Sequence, residues 1–111
     1  GMIESVRGLD AVEGICAVDG LDGIFIGPND LCLALDKAPE TDPTDPDVIA
    51  AIEHCASVAR SHGKHAGIFC PTGAVAARRI AEGFDLVVPR SDANLLRAAM
   101  TAEIGIATAR L

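Results

Sequence analysis

Apolar residues along the chain fall into four short runs, each followed by a stretch with helical spacing. The first run, Met2-Ile3-Glu4-Ser5, is brief and abruptly begun. Behind it, Leu9, Val12, Ile15, Cys16 and Val18 recur at mostly helical intervals until Asp19-Gly20 ends the pattern. The second run, Gly23-Ile24-Phe25-Ile26-Gly27, is a buried strand of β-branched and aromatic residues. A polar segment rich in Pro and Asp, from Asp36 to Pro46, separates it from a helix predicted over 46–61. Asp45-Pro46 starts that helix as an acidic N-cap with Pro in the first turn, and Gly63 stops it. The third run, His65 to Cys70, leads into an Ala-rich helix from Thr72 to Ala81 that stops at Gly83. The fourth run, Phe84 to Pro89, is followed by Arg90-Ser91-Asp92 and a last helix over 93–109.

Strands alternating with helices, where the strands are continuously apolar, specify an α/β fold: a parallel sheet covered by helices. Right-handed crossovers set the four βα units side by side in one domain, residues 1–111. Two architectures satisfy this order, a small open sheet and half of a (β/α)8 barrel. A half-barrel leaves two strand edges and one sheet face uncovered, so it needs a partner surface. The pattern by itself leaves both open.

Composition narrows the function more than the fold. With three Phe, no Trp and no Tyr, the core must be built from Ala, Val, Ile and Leu. The formal net charge is −7 and the nine Lys and Arg are scattered, so no basic face exists to displace counterions from nucleic acid. No run of 18 apolar residues spans a membrane, and no signal-peptide pattern opens the chain, so a cytoplasmic setting is expected. Cys16, Cys32, Cys55 and Cys70 are far apart and form no CxxC pair, which argues against zinc ligands or disulfides, and Cys16, Cys32 and Cys55 sit inside apolar stretches as expected of buried, reduced thiols. Gly1 before Met2 reads as the scar of a cleaved tag, with Met2 the start of the reading frame.

Sites in parallel α/β folds form at the carboxyl ends of strands. Polar residues stand at each such end: Glu4, Asp30, Thr72 and Arg90-Ser91-Asp92. Glu4 and Asp30 are 26 residues apart, one βα unit, and should project from adjacent strands about 4.8 Å apart. Two carboxylates that close repel unless a cation or a proton lies between them. Oxygen-only ligation completed by water suits Mg2+ or Mn2+ better than zinc. Plainer roles also fit, Asp30 as a helix N-cap and Glu4 as a solvated loop acid. Gly27-Pro28-Asn29-Asp30-Leu31 is either a simple turn or a nest of amides able to hold a carboxylate. Arg90 is at the correct end to reach an anion, while Ser91-Asp92 can equally cap the last helix. His54 rides a helix, His62 is near its carboxyl end, and His65 enters a strand from the opposite face.

Met-Ile-Glu-Ser at 2–5 and Asp-Gly-Ile-Phe-Ile-Gly-Pro-Asn-Asp-Leu at 22–31 resemble the HpcH/HpaI aldolase and citrate lyase β-subunit family. Gly-Lys at 63–64, Ala-Gly-Ile-Phe at 66–69 and Ser-Asp at 91–92 extend the likeness, which is to the 4-hydroxy-2-oxo-acid aldolase branch. The resemblance implies the carboxy-terminal half of a (β/α)8 TIM barrel of the phosphoenolpyruvate/pyruvate type. It implies a class II aldolase that cleaves 4-hydroxy-2-oxo acids to pyruvate and an aldehyde. Glu4 and Asp30 would ligate Mg2+ or Mn2+, and the cation would chelate pyruvate and stabilise its enolate. The Pro28-Asn29-Asp30 turn would hold the pyruvate carboxylate through the Asn29 and Asp30 amides, with Phe69 as an apolar wall.

Met2 departs from the family, many of whose members carry a pyruvate-contacting Gln there. The general-base His and the orienting Arg of the family lie on the other half of the barrel. Catalytic residues for proton transfer are therefore unassigned here. The resemblance leaves two alternatives to an active lyase: a non-catalytic remnant that binds metal and 2-oxo acid, and a fragment needing a partner chain. A homo-oligomer is expected, through edge pairing or exchange of the last helix, Ala93–Leu111.

Overall fold

A computed structural model describes residues 1–109 of the chain. The final two positions of the expected domain 1–111, and of the expected exchange segment Ala93–Leu111, lie outside the described residues. The chain runs β1 (Met2–Ile3), α1 (Val6–Asp10), α2 (Val12–Cys16), β2 (Gly23–Ile26) and α3 (Pro28–Ala34). It continues with α4 (Pro46–Ser61), β3 (His65–Cys70), α5 (Gly73–Ala81), β4 (Leu86–Pro89) and α6 (Asp92–Thr108). All strand pairings are parallel and the sheet order is β1-β2-β3-β4, so four parallel strands alternate with helices as expected.

Because side chains alternate across a strand, each strand offers one set of residues to each face. Ile3, Ile24, Ile26, Ala66, Ile68 and Cys70 are buried on one face. They pack with Val48, Ile52, Cys55 and Ala59 of α4, Val12 and Cys16 of α2, and Leu31 and Cys32 of α3. Full burial of an Ile or Leu side chain contributes about 1.5–3 kcal/mol, so this single layer carries most of the fold. Helix α4 is set by its ends: Asp45 Oδ1 accepts from the Asp47 N–H at 2.9 Å, Pro46 opens the first turn, and Gly63 follows at φ 67°. All four cysteines lie unpaired in the buried layer, and burial pushes the Cys55 thiol up to about 11.

The opposite face is bare. Met2, Phe25, Gly67 and Leu86 stand in one register row across all four strands. Met2 is 61% exposed and Leu86 56%. Helix α6 buries none of its residues and carries exposed Leu95, Leu96, Met100, Ile104 and Ile106. It runs outward, which makes the molecule 60 Å long against 29 and 21 Å across. Among the described residues, no helix is long and apolar enough to cross a membrane.

Two boundaries differ from the sequence expectation. The helical stretch at 8–18 is broken into α1 and α2 at Ala11 (φ −97°, ψ 3°), and Ser5 caps the first piece by accepting from the Gly8 N–H at 3.1 Å. Strand β4 begins at Leu86, not Phe84. Phe84 turns into the core beneath the Arg79 guanidinium, 6.0 Å from its ring centre.

Asp85 clips β4 to β3. Its carboxylate accepts from the Ala66 N–H at 2.9 Å while its own N–H donates to the Ala66 carbonyl at 2.9 Å. The Ala66 amide, with His65 second among the groups acting in that direction, holds the Asp85 carboxyl below the usual carboxylate range. A depressed folded value contributes stability above the unfolded value near pH 3.9 and loses it as pH falls through the folded one. Asp85→Ala should therefore cost about 1 kcal/mol at pH 7, allowing for the half-exposed carboxylate. Urea midpoints of the two proteins should converge below about pH 4. A gap that persists at low pH would refute the carboxylate's role.

Candidate functional site

Glu4 leaves β1 just before Ser5 caps α1, and Gly27 leaves β2 beside it. The Gly27 N–H donates to the Ile3 carbonyl at 3.4 Å, so the sheet ladder extends one step past both strands. A Cβ at residue 27 would stand 2.6 Å from Glu4 Oε1 and 3.0 Å from its Cγ. The Glu4 side chain lies across Gly27, and a side chain at residue 27 would displace it. The same glycine is the N-cap of α3, with Pro28 opening the helix and the Leu31 N–H donating to the Gly27 carbonyl at 3.0 Å. Asp30 consequently sits inside the first turn of α3, which overturns the plainer reading of it as the cap. Its carboxylate makes no hydrogen bond or ion pair with a described residue, and neither does that of Glu4.

These residues border one cleft of about 280 Å³. Glu4, Asn29 and Asp30 supply its polar rim, and Pro28, Phe69, Met2 and Phe25 its apolar walls. The residues singled out by sequence, Glu4, Pro28, Asn29, Asp30 and Phe69, are brought together there. Among the described residues, no group of three or more His, Cys, Asp or Glu could hold a metal. Two carboxylates without a third protein ligand match a cation that keeps much of its water, as Mg2+ does, and do not match zinc.

Thr41 also lines the cleft, from the loop between α3 and α4, and sequence reading missed it. That loop is held at several points. Lys37 Nζ pairs with Asp45 at 3.0 Å and Asp47 at 2.9 Å. Glu40 accepts from the Thr44 N–H at 3.0 Å. Asp42, next to Thr41, pairs with Arg78 and lies 3.6 Å from Arg79. Arg79 is only 5% exposed and is itself fixed by Glu82 at 2.8 Å, so Asp42 is tied to a rigid cation. No local signal marked Thr41, which lies in a Pro- and Asp-rich connection of ordinary length.

The other polar candidates fall elsewhere. His54 is exposed on α4, and His62 caps that helix 3.6 Å from Glu13. His65 sits at the amino end of β3, 3.4 Å from Asp85. Thr72 caps α5 by accepting from the Val75 N–H at 3.2 Å, and Ser91 caps α6 by accepting from the Asn94 N–H at 3.3 Å. Arg90 does not border this cleft; its Nε–H donates to the Pro71 carbonyl at 3.2 Å.

If the Asp42 clamp sets Thr41, Asp42→Ala should speed amide hydrogen exchange across residues 40–44 by about tenfold. Global stability should fall by less than about 1 kcal/mol, as for other partly exposed ion pairs. Unchanged exchange would show that the loop is held without the clamp.

The HpcH/HpaI aldolase/citrate lyase family profile matches residues 2–99. The chain is 45% identical over 98 residues to a hydroxypyruvate/pyruvate aldolase of Rhizorhabdus wittichii, covering 88% of this chain and 39% of that one. It is 43% identical over 97 residues to a 5-keto-4-deoxy-D-glucarate aldolase of Shigella dysenteriae, covering 87% of this chain and 37% of that one. A crystal structure of an HpcH/HpaI aldolase/citrate lyase family protein from Burkholderia cenocepacia superposes with a TM-score of 0.84 at 33% identity. That match covers 96% of this chain and 41% of the other. The chain therefore spans about two-fifths of the length of these relatives.

Proposed function

The chain belongs to the HpcH/HpaI aldolase/citrate lyase family, and from that premise we propose that it forms the cation- and 2-oxo-acid-binding side of a class II aldolase site. The reaction is the cleavage of 4-hydroxy-2-oxo acids to pyruvate and an aldehyde. The observation that carries this reading is the convergence of Glu4 and Asp30, neither paired with a described residue, on one cleft at the carboxyl edge of the sheet.

In this proposal Glu4 and Asp30 hold Mg2+ or Mn2+, with Gly27 leaving room for the Glu4 carboxylate. Bound there, the cation would supply Lewis acidity toward the keto and carboxylate oxygens of a 2-oxo acid. The N–H groups of Asn29 and Asp30 precede the first paired amide of α3 and have no partner within the helix. They donate to the substrate carboxylate, and Pro28 fixes the turn that aims them. Phe69 and Met2 form the apolar side against which a short 2-oxo acid lies, and Thr41 offers a hydroxyl at the rim. The substrate named for the Rhizorhabdus wittichii relative, pyruvate or hydroxypyruvate, is of a size that suits this cleft.

All three histidines sit away from the cleft, which favours a second reading for the isolated chain. It binds cation and 2-oxo acid without turnover, and the proton acceptor arrives with the strands that close the barrel. Those strands come with a partner segment; a second copy of the chain meets this one by edge pairing or by exchange of α6. The bare sheet face and the unburied apolar residues of α6 support assembly. Four reduced thiols suit a cytoplasmic setting.

Mn2+ titration followed by electron paramagnetic resonance tests the cation site. Glu4→Ala and Asp30→Ala should each weaken binding at least tenfold; full affinity in both would overturn the assignment. Solvent deuterium entering the pyruvate methyl group decides turnover. Exchange above a metal blank, lost in Asp30→Ala, supports the lyase, and blank-level exchange with Mn2+ bound supports the second reading.

A further inference from the structure

A second cleft, of about 570 Å³, opens between the turn after β3 and one face of α6. Its walls carry Arg90, Arg97, Asn94 and Thr101, beside Pro71 and Ala98. The chain has a formal net charge of −7, yet among the described residues no acid borders this space. We propose that this cleft binds an oxyanion, the carboxylate or phosphate at the far end of the 2-oxo acid whose near end lies at Glu4 and Asp30. This assignment of substrate class rests on the function proposed above.

Arg90 carries the inference. Its backbone sits at φ 72°, a left-handed conformation that a long side chain rarely adopts. Glycine is the residue that fits there without strain. The side chain is nonetheless steered: Nε–H donates to the Pro71 carbonyl, which fixes the guanidinium and leaves its terminal N–H groups uncommitted. Neither Arg90 nor Arg97 pairs with an acid among the described residues. Asn94, Arg97, Ala98 and Thr101 lie three or four residues apart in sequence, so they form one stripe along α6 turned toward Arg90. Two guanidinium groups, an amide and a hydroxyl are donors suited to an oxyanion.

The two clefts lie along the same carboxyl edge of the sheet. Phe69 walls the first and Pro71 the second, two residues or about 6.6 Å further along the same segment. The Arg90 N–H donates to the Cys70 carbonyl at 2.8 Å, so Arg90 stands one step past the Cys70–Pro89 pair. From β2, which leads into Asp30, to β4, which leads into Arg90, is two strand spacings, roughly 10 Å. One extended dianion can reach both. If the four strands are the second half of a barrel, β3 and β4 are its seventh and eighth strands. The loops after those strands are a recurrent phosphate site in such barrels.

The test uses the full chain with inorganic phosphate and with succinate as separate probes, followed by chemical shifts of the Arg90 side chain and the 94–101 amides. Both groups of signals should move on titration. Arg90→Gly should weaken the response at least tenfold while leaving the protein folded, because glycine suits φ 72°. Tighter binding of phosphate identifies a phosphorylated substrate end, and tighter binding of succinate a dicarboxylate. Asp30→Ala should leave this response intact even where it abolishes Mn2+ binding, which separates failure here from failure of the cation site. No shift at Arg90 with either probe, an undiminished response in Arg90→Gly, or loss of the response in Asp30→Ala would overturn the proposal.

Discussion

Side-chain alternation in a parallel sheet forces a choice about which face is covered, and here only one is. Ile3, Ile24, Ile26, Ala66, Ile68 and Cys70 disappear beneath α2, α3 and α4, while Met2, Phe25, Gly67 and Leu86 form a row on the other side. A one-residue slip in any strand would exchange the two sets, so burial of the first fixes the position of the second. The glycines among the second set shape it. A Cβ at Gly67 would come within 2.8 Å of Phe25 Cδ2, and one at Gly27 would strike the Glu4 carboxylate. The bare face is thus a built surface, with its apolar rows low on the sheet and its acids at the carboxyl edge.

Electrostatics along that edge divide by position. The cleft at β1 and β2 carries Glu4 and Asp30 and no cation; the cleft at β3 and α6 carries Arg90 and Arg97 and no acid. Between them, Asp42 ties the α3–α4 loop to a buried arginine on α5. In the proposed reading, a cation at Glu4 and Asp30 would take the chelating head of the ligand and the arginines its anionic tail, with Thr41 beside the head. In (β/α)8 barrels this carboxyl edge is the site-bearing end. The covered face gives it rigidity.

Much of this was legible in the sequence, for local reasons. The bounds of α4 and β3 follow from the Asp45-Pro46 start, the Gly63 stop and an unbroken apolar run at 65–70. The convergence of Glu4 and Asp30 followed from their separation by one βα unit and the rule for strand ends. What escaped depends on contacts distant in sequence. Thr41 borders the cleft next to Asp42, which meets Arg79 37 residues away. Phe84 leaves the strand pattern because Arg79 and the core claim its ring. The role of Asp30 turned on which residue capped α3, and Gly27, lacking a side chain, gives no capping signal to read. The Arg90–Arg97 cleft depends on the direction of α6, which no local pattern encodes.

In the proposed site the Glu4 and Asp30 carboxylates share one cation with a 2-oxo acid. Crystals soaked with Mn2+ and pyruvate, measured for anomalous scattering, should then show a single strong peak within coordination distance of both carboxylates, with pyruvate density between it and the Asn29–Asp30 amides. A peak bound elsewhere, or none at Glu4 and Asp30 under saturating Mn2+, would contradict it.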